Sequence, residues 1–163
     1  MNRRFVVKSA FIAAGLAALA ACEPTVSDGN VVQVAASGGN FTTLIAALTA
    51  ADLADTLQGP GPFTIFAPSD AAFAALPAGT VENLLLPENK ETLVALLTYH
   101  VVPGAVTAEQ LSGERLMVAT LNGSNLQIDG REEEVKVGPA VVTRADTIAS
   151  NGVIHEIDRV LMR

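Results

Sequence analysis

The chain has 163 residues, with a single cysteine, two histidines and a formal charge of −7. That length fits one domain, and the acidic balance excludes a nucleic-acid binder built on basic patches. One cysteine makes no disulfide within the chain, so the fold must stand on its hydrophobic core, which a domain of this size buries readily.

The N-terminus reads as an export signal. Arg3, Arg4 and Lys8 form a basic start, and an apolar run from Ala10 to Ala21 follows. That run is too short to span a membrane, which takes about 18 apolar residues or more. It ends in Leu19-Ala20-Ala21-Cys22. Small residues before a cysteine resemble a bacterial lipoprotein signal, in which the thiol takes a diacylglyceryl group. Residues 1–21 are therefore expected to be a signal peptide, Cys22 the lipidated residue, and 22–30 a polar spacer after it. Beyond residue 21 there remain seven basic and seventeen acidic residues, a formal charge of −10.

Phe41, Leu44, Ile45 and Leu48 fall on one helical stripe, with Asn40 as the expected N-cap. Leu53 and Leu57 continue in a second helical piece, which Gly59-Pro60-Gly61-Pro62 stops. Phe63 to Ala67 reads as a strand closed by Pro68. Ser69 is placed to cap a helix over 71–76, with Asp70 in its positive first turn. Thr80 opens a helical turn through Leu86, and Leu93, Leu96 and Leu97 mark a further helix after Pro87. Tyr99 to Val102 is β-rich and ends at Pro103-Gly104. Thr107 with Gln110 forms a capping-box pattern for one more short helix.

Past Gly113 the pattern turns to strands, over 116–121, 125–128, 135–137, 141–143 and 153–157. Asn122-Gly123 and Asp129-Gly130 read as hairpin turns. Glu132-Glu133-Glu134 reads as a solvated turn. Helices first and strands second define an α+β fold.

Catalytic chemistry has little to draw on. Histidine is the commonest general base, and both histidines sit in apolar runs. If Tyr99 to Val102 is extended, Tyr99 and Val101 share one face while His100 and Val102 share the other. His155 shares its face with Val153 and Ile157 and reads as a core histidine. Ser69, Asp70, His100 and His155 supply the residue types of a hydrolytic triad, but Ser69 lacks the G-x-S-x-G elbow. No closely spaced histidine pair suggests a metal site. The expectation is a protein that is no enzyme and carries no cofactor.

Three segments are recognisable together: TIFAPSDAAFAALP (64–77), LTYHVVPG (97–104) and NGVIHEIDRVL (151–161). They resemble the signature segments of the fasciclin domain, over about residues 31–163. The resemblance implies a compact wedge with a β-sandwich-like core and helices packed along one edge. It also implies an adhesion or envelope role without catalysis. In animal relatives the Tyr-His segment is linked to integrin-dependent adhesion, and its matches here are Tyr99, His100, Val101 and Val102. An Asp-Ile pair is linked to the same recognition. Here Asp146 is kept, Thr147 follows it, and Ile148 comes one position later, a departure from the family pattern. No Arg-Gly-Asp is present.

The expected protein is exported and lipid-anchored to a bacterial membrane through Cys22, facing the periplasm or cell surface. Its expected partner is a surface or matrix protein or a polysaccharide, with no nucleic acid. The second reading is a polysaccharide- or ligand-binding envelope module. Its marker would be surface aromatics for stacking on sugars, and the chain has no Trp and one Tyr.

Overall fold

A computed structural model describes residues 28–131 and 134–162. The expected signal peptide, Cys22, residues 23–27 of the spacer, and Glu132 and Glu133 lie outside the described residues.

The fold begins earlier than its first evident stripe. Helix α1 (Val31–Ser37) opens with a capping box between Asn30 and Gln33, and buries Val31, Val34 and Ala35. The Gly29 carbonyl accepts the Ser150 N–H. The last residues of the expected spacer are thus already part of the domain. Helices α2 (Thr42–Ala50) and α3 (Ala54–Gln58) follow, then strand β1 (Phe63–Pro68). Next come α4 (Asp70–Ala74), α5 (Thr80–Leu84), a 3₁₀ turn at Pro87–Asn89 and α6 (Lys90–Tyr99). Strand β2 (Val101–Pro103) and helix α7 (Ala108–Leu111) complete the helix-rich part.

The remainder is β3 (Arg115–Ala119), β4 (Asn125–Asp129), β5 (Lys136–Val137), β6 (Ala140–Ala149) and β7 (Gly152–Ile157). All seven strands join in the order β2-β1-β7-β6-β5-β4-β3. The β1–β7 pair is parallel, and every other pair is antiparallel. The sheet curls. The Leu121 N–H donates to the Val101 carbonyl at 2.8 Å, which brings the β3 end of the order back to β2. Inside the curl lies one apolar cluster, with Phe66, Val102, Leu126, Ile128, Val137 and Ile157. A second cluster joins α1, α2 and α6 to the outer face of β1, β2 and β7, through residues such as Leu44, Leu97, Ile65, Val101 and Ile154. The α+β reading holds, and the helices lie against this outer face.

That two-sided burial explains why β1, β2 and β7 show no polar face. Successive side chains do alternate, but both destinations are dry except at Glu156 of β7, which borders a surface cleft. Val101 faces the helices and Val102 faces the curl interior. In β3, by contrast, Leu116 and Val118 turn inward while Arg115, Met117 and Ala119 are exposed. β6 is longer than its sequence signal. Two register shifts against β7 flank Arg144, and Asp146 sits at φ 57°, so the bulge hides the strand's alternation.

Three local expectations change. The Asn40 side chain does not cap α2; Phe41 occupies that position without a side-chain bond. The cap comes from Asp70 instead, whose carboxylate accepts the Thr42 and Thr43 N–H groups at 3.2 and 2.8 Å and the Thr42 hydroxyl. Tyr99 and His100 are not in a strand: Tyr99 ends α6 and His100 is its C-cap. Asp129-Gly130 is not a tight hairpin turn. Gly130 extends the β3–β4 ladder, and a Cβ there would lie 1.8 Å from the Leu111 carbonyl oxygen.

Candidate functional site

His100 is 2% exposed. Its Nδ1 lies 2.8 Å from the Leu96 carbonyl, one turn back on α6, and its Nε2 accepts the Leu161 N–H at 2.9 Å. An acceptor at Nε2 requires the proton on Nδ1, so one neutral tautomer serves both bonds. The ring thereby satisfies an end carbonyl of α6 and pins the C-terminal segment at Leu161, which is buried in the inner apolar cluster. Burial drives its pKa down to about 4, against the opposing pull of the Leu96 carbonyl.

His155, on β7, works the same way. Its Nε2 donates to the Val106 carbonyl at 2.8 Å, and its Nδ1 accepts the Asp146 N–H at 3.3 Å. The ring stacks on Phe66 with centroids 5.5 Å apart. Burial lowers its pKa, while the Val106 carbonyl and the Asp146 charge act the other way. Asp146 is equally committed. Its carboxylate accepts the Ala108 N–H at 2.8 Å, so it caps α7 from outside that helix. Val101 and Val102 are buried, and Ile148 is half-buried. The residues that the sequence grouped for partner contact are therefore dispersed. His100, Val101 and Val102 face the core, and Asp146 faces the α7 terminus.

Tyr99 is the exception. Half-buried, it lines a cleft of about 220 Å³ with Thr92, Leu96 and Leu161. Beside it an open groove of about 730 Å³ runs along α6, lined by Pro87, Lys90, Val94, Thr98 and Leu121. Ala95 and Asn122 line both. The Asn122 amide donates to the Ala95 carbonyl at 2.8 Å, fixing the β3–β4 turn against the helix. Local sequence patterns leave this surface almost unmarked. Its one signal was apolar Val94 off the Leu93/Leu97 stripe, together with Leu121 beside a polar turn.

The residue types of a triad are kept apart. The Ser69 hydroxyl accepts the Ala72 N–H at the start of α4, and Asp70 serves α2. No hydrogen bond between described residues links Ser69 or Asp70 to either histidine. Partial burial disfavours the Asp70 carboxylate, but its bonds from Thr42 and Thr43 outweigh this and hold its pKa below the ordinary value. Among the described residues no cluster of three or more His, Cys, Asp or Glu side chains could hold a metal ion. None of their helices is long and apolar enough to cross a membrane.

Sequence motifs, the curled seven-stranded sheet and the helical layer define one class, and the chain belongs to it: the fasciclin domain family, whose model matches residues 39–163. Among its relatives is Protein sll1483 of Synechocystis, 58% identical over 133 residues, which cover 81% of this chain and 72% of that protein. Cell surface glycolipoprotein MPB83 of Mycobacterium bovis is 32% identical over 163 aligned positions, covering 93% of this chain and 71% of that protein. The solved FAS1 domain pair of the insect cell adhesion molecule Fasciclin I matches with a TM-score of 0.62 at 22% identity, over 77% of this chain and 46% of that one. That structure shares the fold. Helix α1 precedes the matched span, yet it supplies core residues to it.

Proposed function

We propose that this protein is an exported, lipid-anchored contact module that makes weak adhesive or envelope contacts through the α6 groove, without catalysis. The observation that carries the reading is the shape of that surface. It is broad, open and partly apolar, with Leu121 in its lining 41% exposed, which suits a macromolecular surface better than an enclosed small ligand. Both histidines, the usual acid–base groups, are meanwhile committed to backbone hydrogen bonds. Support for the anchor comes from the Ala-Ala-Cys ending at Cys22. It also comes from the likeness to a cell surface glycolipoprotein over so much of the chain that residue 22 falls within the match.

The test is adhesion of cells displaying Val94→Glu or Leu121→Asp. Both changes are expected to lower adhesion several-fold while expression holds, with the melting temperature unchanged for the exposed Leu121→Asp and only modestly lowered for Val94→Glu, whose side chain also packs on the core. Equal adhesion by wild-type, variant and deletion cells would sink the reading. Cys22→Ser is expected to move the protein from the membrane to the soluble fraction.

A further inference from the structure

We propose that the cleft between the α1–α2 turn and the β6–β7 pair binds one uncharged sugar ring of a polysaccharide. The cleft is separate from the α6 groove. Its volume is about 200 Å³, below the roughly 300–1,000 Å³ of drug-sized ligand sites, which leaves room for a single ring. Val34, Phe41 and Ile154 supply apolar lining. A Cβ on Gly38 would lie 3.4 Å from Phe41 Cε2, so the glycine leaves room beside one edge of a phenyl ring that is otherwise buried, at 8% exposure. An apolar lining with an aromatic member suits the C–H face of a pyranose.

The rim supplies the complementary chemistry. Asn40 stands on the turn, Arg144 and Thr147 on β6, and Glu156 on β7. No hydrogen bond or ion pair among the described residues engages any of these four side chains. Arg144 and Glu156 are cross-strand partners in the register, yet they form no ion pair within 4.0 Å. A guanidinium, an amide, a hydroxyl and a carboxylate together offer both donors and acceptors. Vicinal sugar hydroxyls each donate and accept, so they can satisfy the whole set. An anion would meet Arg144 but face Glu156, and a cation would meet the reverse. The near-neutral lining selects an uncharged polyol.

The backbone is shaped for this display. The β6 bulge falls on the Arg144–Thr147 stretch, with Asp146 in the left-handed region. Bulges re-aim side chains, and backbone held off its usual region gathers at sites of function. Asp146, pinned by Ala108 and His155, is the positioning residue for that bulge.

The purified full chain, titrated with glucose, galactose and N-acetylglucosamine and followed by amide NMR, tests this. Saturable shifts are expected for at least one sugar at residues 34–41, 144–147 and 154–156, with a Kd on the order of millimolar for so small a ligand. Gly38→Leu and Arg144→Ala should each weaken binding at least tenfold with an unchanged fold. If Gly38→Leu melts early, exposed Asn40→Ala gives the same reading. Absence of saturable shifts with all three sugars would overturn the proposal. So would shifts that persist in folded variants, or binding of inorganic phosphate at the cleft in preference to sugars. The titration and the α6 adhesion assay fail independently, since they read different surfaces.

Discussion

His100 and His155 are acid-sensitive struts. Each accepts a backbone N–H through one ring nitrogen and donates to a carbonyl through the other. Protonation would turn the accepting nitrogen into a donor aimed at another donor. The folded state therefore prefers neutral rings, and the unfolded chain takes up protons first as pH falls through about 6.5. Stability is then lost progressively from about pH 6.5 down to about 4, where His100 itself titrates. For His100 alone the full loss is roughly 3 kcal/mol, given about 1.4 kcal/mol per unit of pKa separation. His155 adds in the same direction. Asp70 works in a lower window, because its depressed pKa removes stability only below about 3.8. Thermal melts between pH 7 and pH 4 should show the fall, and a flat midpoint across that range would refute it. His100→Ala should lower stability by about 2–4 kcal/mol at neutral pH, since it leaves the Leu161 N–H buried without a partner. The variant should also lose much of the acid slope.

At the scale of elements, bonds between distant segments decide what the sequence conceals. The Asn151 side chain accepts the Val31 N–H at 2.8 Å and donates to the Leu57 and Gly59 carbonyls at 2.8 and 3.0 Å. One amide thus joins the start of α1, the end of α3 and the β6–β7 turn. Asn151→Ala strips three bonds and should cost about 2–4 kcal/mol in denaturant melts; a loss under about 0.5 kcal/mol would show that water replaces it. Asp70→Ala removes the cap of α2 and should cost about 1–2 kcal/mol. A Ser69→Ala loss of similar size would assign the effect to α4 instead. The α2 stripe, the Thr107–Gln110 cap and the hairpin turn at Asn122-Gly123 were legible because each signal lies within a few residues. Asp70's partners on α2 are 27 and 28 residues away and Asn151's partners are 92 to 120 away, and no local pattern encodes them. The Tyr99–His100 error has a related cause. β-rich residues close α6 because Leu93 and Leu97 bury its face, and tertiary packing overrides local preference. Helix α1 was missed because its short apolar run has no evident polar face, and its cap bond can be recognised only once the helix is formed.

For the whole molecule, charge works against the tethering proposed above. The chain beyond residue 21 carries −10, so copies crowded on one surface repel each other and repel anionic envelopes. Tethering multiplies weak contacts, by about 10²–10⁴ where geometry lets several engage at once. The balance depends on screening, because the Debye length falls from about 30 Å at 0.01 M salt to about 8 Å at 0.15 M. Contact through the proposed α6 groove, whose lining is largely uncharged apart from Lys90 and Glu91 of opposite sign, survives that change, while the long-range repulsion does not. Adhesion of cells displaying the protein should therefore rise as salt increases over this range, and the Cys22→Ser form should show little adhesion at any salt. A fall in adhesion with salt would mean that attraction between opposite charges drives the contact. The contact would then lie not in the α6 groove but at the Arg115, Asp129 and Arg131 cluster at the Arg115–Asp129 end of the β3–β4 ladder, where the guanidiniums hold the Asp129 pKa well below its ordinary value.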